Sequence, residues 1–133
     1  MKSIIVSILG MASIFVFQLK NQDSLKTSIE RGSQVYKDFC VSCHMTYGEG
    51  IKNVYPPLSK SDYLKNNREG SIKAIKFGQK GKLVVNGVTY NGYMAPLGLT
   101  NREVADVMNY ITNTWSNKNK TMITEKEVAK VKK

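Results

Sequence analysis

Two cysteines and a histidine form a cluster whose residue types and spacing suggest a specific chemistry. Cys40, Cys43 and His44 stand in the order Cys-x-x-Cys-His, and the 133-residue chain has no other cysteine or histidine. This pattern is typical of covalent haem attachment. Each thiol would form a thioether with a vinyl group of the porphyrin, and His44 would bind the iron. The motif therefore predicts one covalent haem c with His44 as the proximal iron ligand.

Other uses of these residues have less support. A Cys2His2 or four-cysteine zinc site needs four protein ligands, whereas two cysteines and one histidine provide only three and no cluster of carboxylates is evident. A thioredoxin-like redox pair would need a strand before the motif, but the preceding residues have the periodicity of a helix. An unrelated cysteine pair is the third alternative, and the histidine that follows the second cysteine argues against it. Two cysteines three positions apart cannot supply a disulfide framework.

The second axial ligand cannot be a histidine, because His44 is the only one present. The candidate sulfur ligands are Met1, Met11, Met45, Met94, Met108 and Met122. Met45 adjoins His44, Met108 has the spacing of a core residue, and Met122 lies near the C-terminus. Met94 lies in a predicted loop far along the chain, so it is the predicted distal ligand. A histidine–methionine pair would raise the reduction potential and leave no iron position open for a substrate.

The N-terminus has the pattern of a targeting segment. Lys2 precedes an uncharged apolar run over residues 4–17, which is shorter than the about 20 residues that span a bilayer comfortably. Residues 1–19 are predicted to be a signal peptide or a retained N-terminal membrane anchor, and a buried helix is the weaker alternative. Either prediction places the rest of the chain in the periplasm, soluble or anchored to the inner membrane. Polar residues 20–28 are predicted to form a linker.

Three helices are predicted before residue 78. The first runs into the haem motif and carries an apolar stripe at spacing i, i+3, i+4 and i+7, formed by Gly32, Val35, Tyr36 and Phe39. Ser61 can cap a short second helix. Residues 69–77 can form the third, which Gly78 would end. The residues between the motif and Ser61 are rich in turn formers and predict an irregular segment.

A small hairpin is predicted over residues 83–90, followed by a loop over residues 91–99. Asn86 and Gly87 suit a turn that needs positive φ at both central residues. Because strand content is this small, the predicted fold class is all-α with one hairpin. A long irregular middle segment needs something to organise it, and a haem would do so.

Two capping boxes predict the last two helices. Thr100 and Glu103 open a helix whose apolar face is expected to extend to Trp115. Thr124 and Glu127 open a short basic helix that is expected to continue through residue 133.

The chain is strongly basic, with a formal net charge of +10. Its lysines are spread out, and no long basic run is interleaved with aromatic residues, so nucleic acid is not a predicted partner. A solvated lysine surface is one explanation. The functional alternative is attraction to acidic redox partner proteins or to anionic lipid.

Over residues 29–115 the chain resembles the small monohaem class I cytochromes c of bacteria. Besides the haem motif, the matching residues are Gly32-x-x-x-Tyr36, Tyr55-Pro56-Pro57-Leu58, Gly87-x-x-Tyr90-Asn91-Gly92-x-Met94, and Leu99-Thr100 through Tyr110 and Trp115. The resemblance implies a cytochrome c domain over residues 29–116, with the cytochrome c fold wrapped around one haem. Residues 117–133 would be a basic C-terminal tail with a short helix, for which the family implies no role.

The resemblance also implies specific contacts around the haem. The first and last helices of the domain would cross where Gly32 and Tyr36 meet Tyr110. Candidate partners for the haem propionates are Tyr63, Tyr90 and Tyr93.

A proline carbonyl is implied behind the proximal histidine. Either Pro56 or Pro57 would accept a hydrogen bond from the ring nitrogen of His44 that does not face the iron. Such a bond would orient the ring and tune the iron.

The predicted function is single-electron transfer between exported or membrane-bound redox partners, such as an oxidase, a reductase or a dehydrogenase, without enzymatic activity. One alternative is a haem-bearing subunit fixed in an oxidase or dehydrogenase complex. The other is a haem enzyme or gas sensor, which would need an open iron position and therefore no bond to Met94.

Overall fold

The computed structural model describes residues 24–133, so the predicted targeting segment and the first part of the linker lie outside the described residues. The elements are α1 (Leu25–Phe39), α2 (Val41–His44), α3 (Asp62–Asn66), α4 (Arg68–Phe77), β1 (Gln79–Val85), β2 (Val88–Met94), α5 (Asn101–Ile111) and α6 (Glu125–Lys130). The predicted mostly helical fold with one two-stranded hairpin is confirmed. Among residues 24–133, no helix is long and apolar enough to cross a membrane.

Helix α1 starts earlier than the sequence suggests. The Ser24 side chain accepts a hydrogen bond from the Thr27 N–H and caps the helix. Residues 25–28 of the predicted linker are therefore helical, and Ser28 is fully buried. Ser28 is polar, and the sequence therefore predicts that it belongs to the linker. In the structure its hydroxyl donates a hydrogen bond of 2.6 Å to the buried Asp106 carboxylate.

Helices α1 and α5 cross at Gly32, as the family resemblance implies. A β-carbon on Gly32 would lie 2.0 Å from the Asp106 carbonyl oxygen, so only glycine allows this approach. Beside it, the Tyr36 ring lies 5.4 Å from that of Tyr110 and 5.0 Å from that of Trp115, measured between centroids. Tilted and edge-on aromatic contacts of this kind add to the stabilisation from burial. The crossing fixes the end of α1, from which the haem motif continues.

A buried polar network reinforces the same crossing. Arg31 donates two hydrogen bonds of 2.7 Å to the Asp106 carboxylate, which Ser28 also contacts. Asn109 donates to the Ser28 hydroxyl at 2.8 Å. Because the buried carboxylate has a cationic partner and hydrogen bonds, its removal from water is compensated.

Both short helices after the irregular segment form where predicted, although the second begins at Arg68 rather than at residue 69. Ser61 caps α3 by accepting a hydrogen bond from the Leu64 N–H at 3.1 Å. Helix α4 ends at Gly78, whose φ of 81° lies in the left-handed region that favours glycine. Ile72 of α4 is fully buried in the core, while Ile75 packs at its edge.

The hairpin is longer than predicted. Asn86 and Gly87 form the turn with φ values of 50° and 76°, which confirms the predicted turn. The strands pair from Val85 with Val88 out to Gln79 with Met94. The prediction of a loop over residues 91–99 is therefore wrong for residues 91–94. These strand ends contain glycine and asparagine, which have little strand propensity, so cross-strand pairing rather than local preference extends the hairpin.

Helix α5 has the predicted capping box but ends before Trp115. Thr100 accepts from the Glu103 N–H, and the Glu103 side chain accepts from the Thr100 N–H. The helix stops at Ile111, whose carbonyl accepts a hydrogen bond from the Asn117 side chain. Trp115 has a φ of 50° and cannot continue the helix, so its placement on the helical face is wrong.

The C-terminal segment packs into the core. Ile123 and Val128 are fully buried and Val131 is nearly so. Both polar atoms of the Asn109 side chain pair with the backbone of Ile123 at 2.8 Å. Helix α6 ends at Lys130, and the prediction that it continues through residue 133 is wrong because Val131 turns inward in an extended conformation.

Replacing Glu127 with glutamine is expected to make the free energy of unfolding vary less with pH in the acidic range. Hydrogen bonds from Arg68 hold the pKa of Glu127 below its usual value. The ionised Glu127 side chain therefore stabilises the fold fully above about pH 4.3, the pKa of glutamate in the unfolded state. This stabilisation is lost as the pH falls through the lowered pKa of Glu127 in the folded state. Because about a third of each side chain is exposed, we expect a difference of about 1 kcal/mol or less at neutral pH.

Urea unfolding of both proteins between neutral and acidic pH measures this difference. The gap between wild type and Glu127→Gln should narrow as the pH falls below about 4. Glu125→Gln, in the same helix and exposed, is the matched control and should follow the wild type. A gap that stays constant with pH would contradict the assignment.

Candidate functional site

One apolar cavity of about 400 Å³ brings together the four side chains predicted as haem and iron ligands. Cys40, Cys43 and His44 line it from the end of α1 and from α2, and Met94 lines it from the end of β2. Its size lies in the range of about 300–1,000 Å³ that is usual for cofactor sites. Other lining residues that share an apolar character are Phe39, Val54, Leu58, Leu64, Ala74, Ile75, Leu83, Val85, Leu97, Val107 and Ile111.

Local helix geometry presents the motif to this cavity. Helix α1 ends at Phe39, and Cys40 both ends α1 and precedes the single turn α2. Cys40 and Cys43 are three residues apart, so they share one face of that turn. His44 is the last residue of α2, and its N–H donates to the Cys40 carbonyl at 2.9 Å.

The two thiols are free rather than joined in a disulfide. Burial, with a smaller contribution from Cys43, raises the pKa of the Cys40 thiol to about 11. A thiol of this kind stays protonated at neutral pH, whereas a redox-active cysteine usually has a lowered thiol pKa. No group of three or more histidine, cysteine or acidic side chains able to hold a metal occurs within residues 24–133.

The His44 ring is oriented by a proline carbonyl. Its Nδ1 lies 3.0 Å from the Pro56 oxygen, and because a carbonyl can only accept, Nδ1 carries the proton. Burial lowers the pKa of His44, although the bond to Pro56 opposes this effect. The ring is therefore neutral with Nε2 unprotonated, the form that binds a metal. Pro57, the other candidate, also lines the cavity.

Two glycines that the sequence marks only as turn formers place Pro56. Gly50 has a φ of 62° and donates to the His44 carbonyl at 3.1 Å, and a β-carbon there would lie 2.4 Å from the Tyr55 oxygen. Gly48 packs directly against the Trp115 ring, and its carbonyl accepts from the N–H groups of residues 58 and 59. Nothing in the local sequence connects either glycine with the histidine.

Of the methionines in residues 24–133, Met94 is the one that lines the cavity together with His44. It lies at the end of a strand rather than in the predicted loop, and Gln79 pairs with it across the hairpin. Met108 is fully buried in the core. Neither Met45 nor Met122 contributes to the cavity wall. The tertiary structure thus separates Met94 from the other sulfur candidates in residues 24–133.

Polar groups are few in this cavity, and several large side chains that line it are exposed. Tyr63, Tyr90 and Tyr93, the candidate propionate partners, all line it, together with Ser61, Ser71 and Gln79, which sequence reasoning missed. No charged side chain of the described residues lines the wall. Large exposed side chains at the cavity are Phe39, Val54, Tyr55 and Tyr93.

These donors fit a covalently held iron porphyrin. Two thiols on one helical turn, a neutral imidazole and a thioether meet around an apolar space. Such walls suit a large flat aromatic ligand, because burying it removes apolar surface from water. The donor set lacks the four thiolate or imidazole ligands of a structural zinc site.

Comparisons with known proteins agree with this fit. The family model for cytochrome c matches residues 29–115. Cytochrome c-552 of Thermus thermophilus is 32% identical over 110 residues, which cover 76% of this chain and 83% of the relative. The cytochrome c subunit of a quinone alcohol dehydrogenase of Gluconacetobacter polyoxogenes is 27% identical, and that of a gluconate 2-dehydrogenase of Pantoea cypripedii is 28% identical.

The two dehydrogenase subunits are much longer proteins. The match covers 22% of the first and 24% of the second, so this chain corresponds to about a quarter of each. The match to cytochrome c-552 covers most of both chains. Family model, relative and helical fold agree, and this chain belongs to the cytochrome c family, among the bacterial class I monohaem members.

Proposed function

We propose that this cytochrome c carries single electrons between redox partners and catalyses no bond chemistry itself. Members of its family bind haem c covalently with iron. The observation that carries the proposal is the convergence of Cys40, Cys43, His44 and Met94 on one apolar cavity. Two protein ligands to the iron would leave no position open to a substrate, which favours electron transfer over catalysis.

The chain's own residues would each have a distinct role. Cys40 and Cys43 would hold the haem through thioethers, and His44 and Met94 would ligate the iron, which supplies one-electron redox chemistry when bound. Pro56 keeps the proton on Nδ1 of His44 and thereby directs Nε2 into the cavity. The apolar walls exclude water, which limits reorganisation around a change of charge.

The proposed partners are acidic redox proteins. The chain carries a formal charge of +10, which would steer acidic proteins toward it. The exposed side chains that line the cavity, Phe39, Val54, Tyr55 and Tyr93, would form the close contact. An interface of this type is small and transient.

The proposed location is the periplasm. Residues 1–19 would act as a signal peptide or as an anchor in the inner membrane, with residues 20–24 as the linker. The packing of Ile123 and Val128 favours counting residues 117–133 with the domain rather than as a separate tail.

A second candidate function is a haem-bearing subunit of a dehydrogenase complex. It is favoured by similarity to cytochrome c subunits of an alcohol dehydrogenase and a gluconate 2-dehydrogenase. Co-purification with a membrane complex would distinguish it from a free carrier.

Visible spectra of the purified full-length protein test the proposed function. We expect the α-band of a c-type haem after reduction, no loss of haem to acid acetone, and no binding of carbon monoxide without displacement of a ligand. Mass spectrometry would show the mass of one haem and the true N-terminus. Haem extracted by acid acetone, or ready carbon monoxide binding, would refute the proposal.

A further inference from the structure

Helix α4 forms one wall of the cavity and is held at its N-terminal end by the C-terminal segment, residues 121–131. Arg68, its first residue, binds both carboxylate oxygens of Glu127, at 2.5 and 2.7 Å. The same guanidinium donates to the carbonyls of Thr121 and Met122, at 3.0 and 3.1 Å. A planar guanidinium with several fixed partners restricts the position of the helix end more than a single ion pair does.

The other end of α4 is held by the same segment. The ammonium group of Lys76, in the last turn, donates to the carbonyls of Val128 and Val131 at 2.9 and 3.2 Å. These carbonyls lie at the C-terminal end of α6, where a cation is favoured. Val128 and Val131 are also buried in the core, so the point to which Lys76 attaches is itself fixed.

The C-terminal end of α4 lies close to Met94. Gly78 ends the helix, and a β-carbon there would lie 2.6 Å from the Met94 carbonyl oxygen and 3.0 Å from the Pro96 ring. The next residue, Gln79, is paired with Met94 in the hairpin. Because the Gly78 backbone leaves no room for a β-carbon beside Met94 and Gln79 pairs with Met94, a shift in the end of α4 is expected to move Met94 as well.

We propose that residues 121–131 position Met94, acting through Arg68, Lys76 and helix α4. Their role would be to keep the thioether in place on the distal side, so that added ligands compete poorly for the iron. The inference rests on the proposed function, in which Met94 ligates the iron. It gives the C-terminal segment a part in setting the haem site, although no residue of that segment lines the cavity.

The experiment measures imidazole binding to the oxidised holoprotein. The variants are Arg68→Gln/Lys76→Gln and, as a milder change, Lys76→Gln alone. Loss of the sulfur-to-iron charge-transfer band reports displacement of the thioether, and circular dichroism selects a temperature at which every variant is folded. We expect the double variant to bind imidazole about ten-fold more tightly than the wild type.

Lys73→Gln is the matched control, because Lys73 is exposed on the same helix, and it should bind imidazole as the wild type does. A double variant with a lower melting temperature but unchanged imidazole affinity would overturn the inference, since the segment would then stabilise the fold alone. A wild-type protein without the charge-transfer band would instead overturn ligation by Met94 and, with it, this inference.

Discussion

Replacing Met94 with leucine is expected to abolish the sulfur-to-iron charge-transfer band of the oxidised protein and to let the reduced protein bind carbon monoxide. Leucine fills a similar apolar volume without a sulfur atom, so the cavity wall is kept while the proposed ligand is lost. Because methionine ligation raises the reduction potential, we expect a fall on the order of 100 mV, within the range of about 0.8 V that axial ligands span.

Optical spectra and a redox titration of the holoprotein measure these changes. Met122→Leu is the matched control, because Met122 is partly exposed and does not line the cavity, and its spectrum and potential should match the wild type. A Met94→Leu protein that keeps the band would show that another sulfur ligates the iron. Met94 would then be a packing residue.

Replacing Gly32 with alanine is expected to destabilise the fold by about 3 kcal/mol, at the upper end of the usual cost of overpacking. Alanine favours helices over glycine by about 1 kcal/mol, so local propensity alone predicts the opposite sign. The clash prevails because the new β-carbon would meet the Asp106 carbonyl oxygen and carbon at 2.0 and 2.5 Å. Both atoms belong to the backbone of α5, so the helices must separate.

Thermal unfolding of the holoprotein would show this as a fall in melting temperature on the order of 10 °C. Lys37→Ala also introduces an alanine into α1, but at an exposed position, and should leave the melting temperature nearly unchanged. An unaltered melting temperature in Gly32→Ala would mean that α1 and α5 do not approach as closely as the structure shows.

Local sequence signals predicted most of the elements. The stripe through Val35 and Tyr36 predicts α1, the box formed by Thr100 and Glu103 predicts the start of α5, and Asn86 with Gly87 predicts the turn. Each signal consists of residues that lie close together in the sequence. The interactions that form these elements are therefore local.

Where prediction failed, distant partners decided the conformation. Trp115 leaves the helix because its ring packs against Tyr36 on α1. The start of α1 extends into polar residues because Ser28 finds a buried partner on α5. Polar or apolar character alone does not indicate such pairings, since it does not specify which residues meet.

The site shows the same division. The sequence by itself determined that Cys40, Cys43 and His44, the proposed proximal residues, lie together, because they share one helical turn and need no distant residue to meet. Only the tertiary structure decided that Pro56, rather than Pro57, binds the His44 ring. It likewise decided that Met94, among the described methionines, faces the same cavity. Residues this far apart in sequence meet only through packing of the whole chain, which no local pattern specifies.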